Sequence, residues 1–561
     1  MRRLRILVFS LTIAFLTGTS GQAQQPASPD LVLKNAVIID GTGRPGVVGD
    51  VALDGNRIVA VAVGVVGAGK PTQTIDCTGL IVCPGFIDLH NHSDTQIIAA
   101  GTRSNMNFLL QGCTTIVTGN CGSGPVDAKS YLDKVDAAGA GSNVAHLLPQ
   151  GAVRSNVIGL DSRDATSAEI EQMRSLADKA MRDGVWGMST GLIYVPSSYA
   201  DTAELTAIAE VVGQHRGIYA SHIRGEGLEL LKSIEEVLEI GRQGKLPTHV
   251  SHFKCSGKDA WGLAGQAIAM IDAAREQGVV ITADQYPYVA SSTSLDATVI
   301  PTYARAGGNK KLLERWDDPK IGPTLVAEIE DSLHKKDDGR LVRIARYAPN
   351  PSWIGKSVYA IAEMEGKKPI EIVRIITEKG GAGIVHFSMN EDEVRAIMQR
   401  PCVATASDGR ADLPSIDKPH PRLYGTFPRK IGHYAIREKV IPLELAIRSA
   451  SGLPADIFGF SDPDAYQKEE PKEGARSRAP RASTLPRGYL KPGMAADIVV
   501  FDPKTFIDNA TFDDPARYSS GIKYMWVNGV LAVQESHPTG ALGGVALRHR
   551  SKFEGPASAS N

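Results

Sequence analysis

Five short stretches of this chain put metal-binding or proton-moving side chains directly after an apolar run. Phe86-Ile87-Asp88-Leu89 leads into His90-Asn91-His92. Two imidazoles two residues apart point to one side of an extended chain. There they can share a divalent metal, or each can simply be bonded to a neighbouring loop. Thr115-Ile116-Val117 leads to Cys121, beside Gly122 and Gly124. Such a cysteine usually packs in the core; its other use is as a thiolate on zinc. Ile218-Tyr219-Ala220 runs into Ser221-His222, and Val250 runs into Ser251-His252 with Lys254 just beyond. A repeated Ser-His at a strand end is harder to explain as packing. His249 is turned away by the two-residue alternation and reads as a decoy. Finally, Ala404-Thr405-Ala406-Ser407 ends at Asp408. A carboxylate there can be general base to a metal-held water, or it can cap the next turn. Five placements of the same kind argue against coincidence.

The elements that must carry these residues alternate. Apolar strand candidates (115–117, 217–220, 248–250, 279–282 and 402–405) are separated by amphipathic helices. One helix is expected over 203–214. Another is expected over 228–241, where Leu231, Ile234, Val237 and Leu238 share a face. Strand–helix alternation at this length predicts an α/β fold, a (β/α)8 TIM-like barrel over residues 84–486. Catalytic groups in such a barrel sit past the C-terminal ends of the strands. Residues 30–83 and 487–535 are instead rich in short β-branched runs and glycine turns, with Asn528-Gly529 as a hairpin signal. They predict one small β-sandwich domain built from both chain ends. Residues 290–350 break the alternation and read as an inserted subdomain. Residues 463–487, rich in Lys, Glu, Arg and Pro, read as a mobile loop.

The first 23 residues have the order of a secretory signal peptide: Arg2, Arg3 and Arg5, an apolar run from Ile6 to Leu16, then small and polar residues with a cut after Ala23. The expected location is the periplasm or outside the cell. Cutting there leaves 58 basic against 62 acidic residues, a net charge of −4. That balance gives no electrostatic case for nucleic acid as a partner. No later stretch is apolar enough for a membrane span. Export permits disulfides, and Cys77 with Cys83 or Cys113 with Cys121 are possible pairs.

Together these blocks resemble the amidohydrolase superfamily, on Gly85–His92, the two Ser-His strand ends and Ser407-Asp408-Gly409. Within it the chain is similar to the N-acyl-D-amino-acid deacylases (D-aminoacylases). The more specific signatures are Asn120-Cys121-Gly122, Ser251-His252-Phe253-Lys254 and the run from His420 to Arg429. The resemblance extends from about residue 30 to residue 535. Many relatives bridge two metals with a carboxylated lysine. The matching stretch Val185–Gly191 has no lysine, and with Cys121 this fits the deacylase subgroup. The resemblance implies a tightly held Zn2+ on Cys121, His222 and His252. It implies a second, weak or empty site at His90 and His92, with His90 helping to polarise the substrate carbonyl. Asp408 is then the acid/base. Arg422 matches the arginine that binds the substrate carboxylate, assisted by Lys254, Tyr194 and Tyr288; without the resemblance Arg422 would read as a surface ion pair. The expected reaction is zinc-dependent hydrolysis of N-acyl-D-amino acids. Competing expectations are a dipeptidase, a cyclic amide hydrolase, or a non-catalytic binding protein on the same fold.

Overall fold

The computed structural model describes residues 29–62, 71–467 and 481–551. The segment 1–23, read as a signal peptide, lies outside them, as do residues 468–480 of the charged loop.

Eight strands run parallel round a closed barrel. They are β1 (Phe86–Asp88), β2 (Cys113–Thr118), β3 (Asn143–His146, continued as Leu148–Pro149), β4 (Gly187–Gly191), β5 (Ile218–His222), β6 (Thr248–Val250), β7 (Ile281–Gln285) and β8 (Val403–Thr405). Each pairs in parallel with the next in this order. The ring closes through a parallel bridge between Asn91 and Gly409. There the His92 amide donates to the Gly409 carbonyl (2.7 Å), and the Asp408 amide donates to the His90 carbonyl (2.9 Å). The bonds that shut the barrel thus come from the backbone of the candidate site itself.

Parallel strands covered on both faces are apolar throughout. Ile87, Val117, Ala145, Ile218, Ala220 and Ala404 fill the barrel interior. Helices such as Thr202–Gln214 and Leu230–Gly244 form the outer layer. Asp201 caps the first by accepting from the Glu204 amide (2.7 Å). In the second, Leu230, Ile234, Val237 and Leu238 are buried while Leu231 is half-buried. Trp186, at the start of β4, blocks the lower end of the barrel. Its ring meets Phe460 and Tyr466 edge-on, and its indole N–H donates to the Leu547 carbonyl (2.9 Å).

The two chain ends do meet. Ile81–Pro84 pairs antiparallel with Ile498–Phe501, and hydrogen bonding continues through nine strands as one sheet. Period-2 alternation sends Val499 and Phe501 toward the barrel and Ile498 and Val500 into the domain's own core. An accessory lobe has a three-stranded antiparallel sheet of Ser291–Ser294, Gly383–His386 and Val342–Arg346, with Gly383–His386 in the middle. It therefore reaches residue 386, beyond the 290–350 read from composition. The helices at Val358–Glu365 and Pro369–Glu378 look like barrel helices in sequence, but they pack in the lobe's own core. The flanks of the charged loop are anchored: Tyr466 is buried, and Arg487 is buried against Asp497 (2.6 Å). All six cysteines are free thiols. No helix among the described residues is long and apolar enough to cross a membrane.

Candidate active site

The loops leaving the upper ends of the strands bring the chemistry-bearing side chains together. Cys121 Sγ lies 3.3 Å from His90 Nε2, 3.7 Å from His252 Nε2 and 3.9 Å from His222 Nδ1. Zinc bonds of about 2.3 Å to sulfur and 2.0–2.1 Å to nitrogen put tetrahedral S and N ligands roughly 3.5 Å apart. The observed spacings bracket that value, and a thiol with imidazoles is a donor set that suits zinc. Three overlapping groups of ligand atoms, each within 4.8 Å, occur among the described residues: His90–Cys121–His252, His90–His92–Asp408 and His222–Glu226–His252.

Local backbone aims these groups. Cys121, His252 and Asp408 adopt left-handed φ values of 52°, 37° and 48°. Such conformations cost energy in non-glycine residues and concentrate at functional sites. Close approach helps too: a Cβ on Gly191, at the end of β4, would sit 2.2 Å from the Cys121 carbonyl oxygen. Only glycine lets that loop lie so low.

A buried second layer of carboxylates orients the imidazoles. Asp284, at the end of β7, faces His90 Nδ1 (3.4 Å) and His249 Nε2 (2.8 Å), and it accepts from the His252 amide (2.9 Å). His249 is thus held by Asp284, with Nδ1 against Thr282 (2.8 Å). His90 Nε2, the other ring nitrogen, faces Cys121 Sγ (3.3 Å) and Asp408 Oδ1 (3.5 Å). Glu226 faces His252 Nδ1 (2.9 Å) and forms a partly buried ion pair with Lys254. The sequence reading missed Glu226. Its only signal is the spacing of Glu226 four residues after His222, which in a loop carries no periodic meaning.

Electrostatics follow from burial and these pairings. Burial pushes the Cys121 thiol well above its ordinary value, with Asp408 adding to the effect; a bound cation is what would make it a thiolate. Burial holds His222 well below its usual value, so it is neutral. Burial alone would raise Asp408, but the Arg422 guanidinium, His252 and His92 bring it well below the carboxylate range. Asp408 Oδ2 is 2.8 Å from Arg422 Nη1, and Oδ1 is 3.0 Å from His92 Nε2.

Two cavities, of about 1010 Å³ and 590 Å³, meet over Asp408 and share Tyr194, Ser292 and Thr293 as their partition. Tyr194 Oη and Thr293 Oγ1 are hydrogen-bonded at 2.9 Å. Arg422 lines the larger cavity and Lys254 the smaller. Tyr288 does not join them. Its hydroxyl donates to the Pro421 carbonyl (3.5 Å), and Arg429 covers its ring. Tyr286 lines the smaller cavity instead, under Arg422 (4.6 Å from its ring centroid), with a buried hydroxyl that has no hydrogen-bond partner. Burial pushes that hydroxyl up to about 12, so it stays a donor. The Tyr288 amide bonds the Tyr286 carbonyl (3.0 Å). This tight turn breaks the two-residue alternation and separates the two rings.

The sequence that builds this cysteine–histidine cluster and its barrel matches, over residues 73–533, the profile described as "Amidohydrolase family". This chain belongs to the amidohydrolase family. The amidohydrolase is 33% identical over 549 residues to a D-aminoacylase of Alcaligenes xylosoxydans xylosoxydans, covering 94% of this chain and 99% of the relative. A solved N-acyl-D-glutamate deacylase from Bordetella bronchiseptica is 32% identical, with a TM-score of 0.76, covering 93% of this amidohydrolase and 100% of that chain. That structure holds zinc and a phosphonate inhibitor that mimics the tetrahedral intermediate. A D-aminoacylase structure described by its binuclear metal center is 31% identical, with a TM-score of 0.75, and covers 93% of this chain and 100% of its own. The amidohydrolase is a metal-dependent enzyme of amide bonds.

Proposed function

We propose that this enzyme hydrolyses N-acyl-D-amino acids to a carboxylate and a free D-amino acid. One observation carries the reading. The ionised Asp408 lies beside the cysteine–histidine cluster and is paired with Arg422, close to Lys254 and the unpartnered Tyr286 hydroxyl. That arrangement suits an amide whose substituent bears a free carboxylate, and the names of the relatives add the D configuration. Cys121, His222 and His252 would hold zinc tightly; His90 and His92, with Asp408, form a second and weaker site. Zinc, when bound, supplies the Lewis acidity that polarises the scissile carbonyl and acidifies water.

The protein's own groups do the rest. Arg422, Lys254 and Tyr286 hold the substrate carboxylate, the guanidinium offering a planar fork. A substrate carboxylate that takes over Arg422 removes the counter-ion of Asp408 and raises its proton affinity at the moment a base is needed. Asp408 accepts the proton of the attacking water and hands it to the departing amine nitrogen. We also propose export, on the basic–apolar–small order of residues 1–23; a periplasmic product beginning at Gln24 is the expected mass-spectrometric result.

The test is initial rates of the zinc-loaded mature chain on both enantiomers of a panel of N-acetyl amino acids, with dipeptides and cyclic amides alongside. Turnover confined to N-acetyl-D-amino acids supports the reading. Turnover of dipeptides or cyclic amides in their place overturns it.

A further inference from the structure

Glu226 lies outside the barrel strands and outside the proposed ligands Cys121, His222 and His252, yet it faces two of those ligands and Lys254. It is half-buried and lines the smaller cavity. Its Oε1 is 2.9 Å from His252 Nδ1 and in contact with Lys254 Nζ. Its Oε2 stands 3.9 Å from His222 Nε2, a buried nitrogen with no hydrogen-bond partner. So one carboxylate faces the outward ring nitrogens of two histidines whose inward nitrogens face Cys121 at 3.7 and 3.9 Å.

Lys254 makes this placement consequential. Its Nζ also lies 2.8 Å from His252 Nδ1, while it donates to the His252 carbonyl (2.8 Å). His252 Nδ1 therefore has two rival neighbours of opposite demand. If the ammonium donates to it, Nδ1 carries the lone pair, and a neutral ring must place its proton on Nε2. An Nε2–H cannot ligate a metal, and it would point at Cys121. If Nδ1–H donates to a carboxylate, the lone pair falls on Nε2, where a metal ligand is needed. An ammonium has only donors to offer and a carboxylate only acceptors. Glu226 meets both: it accepts hydrogen bonds from the Lys254 ammonium and from Nδ1–H of a ring that keeps its proton there.

We infer that Glu226 is a positioning residue that selects the metal-competent tautomer of His252 by out-competing Lys254 for Nδ1. The inference rests on the zinc reading above for the identity of the ligands, but the tautomer itself is observable without metal. A lysine that binds substrate carboxylate necessarily sits near the ligands, and its ammonium would disable one of them. Glu226 is the group that lets both functions share one strand end.

The experiment uses the full chain and four proteins: wild type, Glu226→Gln, Lys254→Met and the double variant. In zinc-free protein labelled with 15N-histidine, the ring nitrogens of His252 report the tautomer by NMR. The Nδ1-protonated form is expected in wild type and in Lys254→Met, and the Nε2-protonated form in Glu226→Gln. Zinc affinity by chelator competition should fall about tenfold to a hundredfold in Glu226→Gln, the usual effect of losing such a partner. The double variant should return to within about threefold of Lys254→Met, because the rival donor is gone. An unchanged tautomer in Glu226→Gln overturns the inference. So does a double variant as weak as Glu226→Gln, which would mean that Glu226 acts by charge alone. Failure of wild type to hold zinc would instead sink the metal reading, and the tautomer comparison would still decide this one. Should Glu226→Gln not fold, the double variant and Lys254→Met still give the affinity comparison.

Discussion

In the proposed reaction Asp408 moves a proton twice while held between Arg422 and His92. Asp408→Asn keeps the shape but cannot accept a proton. Turnover should fall by about 10²- to 10⁴-fold, while metal analysis still finds zinc on the cysteine–histidine site; an active variant would remove Asp408 from the mechanism. Arg422 has a double part, lowering Asp408 and awaiting the substrate carboxylate. In Arg422→Met, KM should rise by about ten- to a hundredfold for loss of a charged hydrogen bond. The sign of the pH effect follows from the pairing. In the free enzyme Arg422 favours ionised Asp408, so its removal raises the Asp408 pKa, and the acid limb of the kcat/KM profile moves to higher pH. A limb that stays put would mean Asp408 does not set it. At this scale the sequence was eloquent about ligand types and silent about partners. His90, His92, Cys121, His222, His252 and Asp408 follow apolar runs and stand out as candidates by position, while their proposed roles come from the resemblance. Glu226 could not, because it lies in a loop and its role arises only where two strand ends converge. Tyr288 was chosen over Tyr286 because both share one short motif, and the turn that separates them depends on a backbone bond between the two residues themselves.

Strands and helices were legible wherever one periodicity ran long enough. β2, β5 and β8 stand where β-branched runs end in polar residues, and the helix at Leu230–Gly244 buries the stripe that a 3.6-residue repeat requires. The lobe boundary was not legible, because Gly383–His386 is a central strand of a sheet whose other members come from far earlier in the chain. Non-local pairing leaves no local trace. Element packing also explains Gly191, whose value is the space it leaves. With Gly191→Ala, a methyl group would start 2.2 Å from the Cys121 carbonyl, and the loop must rise. Overpacking of this kind costs about 1–3 kcal/mol. The expected outcome is a folded protein with weaker zinc retention, measured by dialysis against a chelator. Wild-type retention would show that the Cys121 loop has slack.

Across the whole molecule, the barrel is closed above by the backbone of the catalytic loops and below by a plug drawn from distant parts of the chain. Trp186 of β4, Phe460 and Tyr466 after the last barrel helices, and Leu547 near the C-terminus share one cluster. The segment carrying Leu547 is fixed further by Arg548, which pairs with Asp133 (3.0 Å) and Asp136 (2.7 Å). These two pairs are partly exposed and contribute little by themselves. The buried indole, 1% exposed, is the larger contributor. Trp186→Ala removes it from a packed site and should destabilise the fold by about 3–5 kcal/mol. Its indole N–H is also the group that satisfies the buried Leu547 carbonyl, so the C-terminal segment should loosen first. Hydrogen exchange should therefore show faster exchange at residues 544–549 in this variant than at β5 or β6, while zinc affinity at the opposite end of the barrel changes little. Equal loosening at both ends would mean that the plug and the metal site form one cooperative unit, and that the barrel transmits strain along its full height.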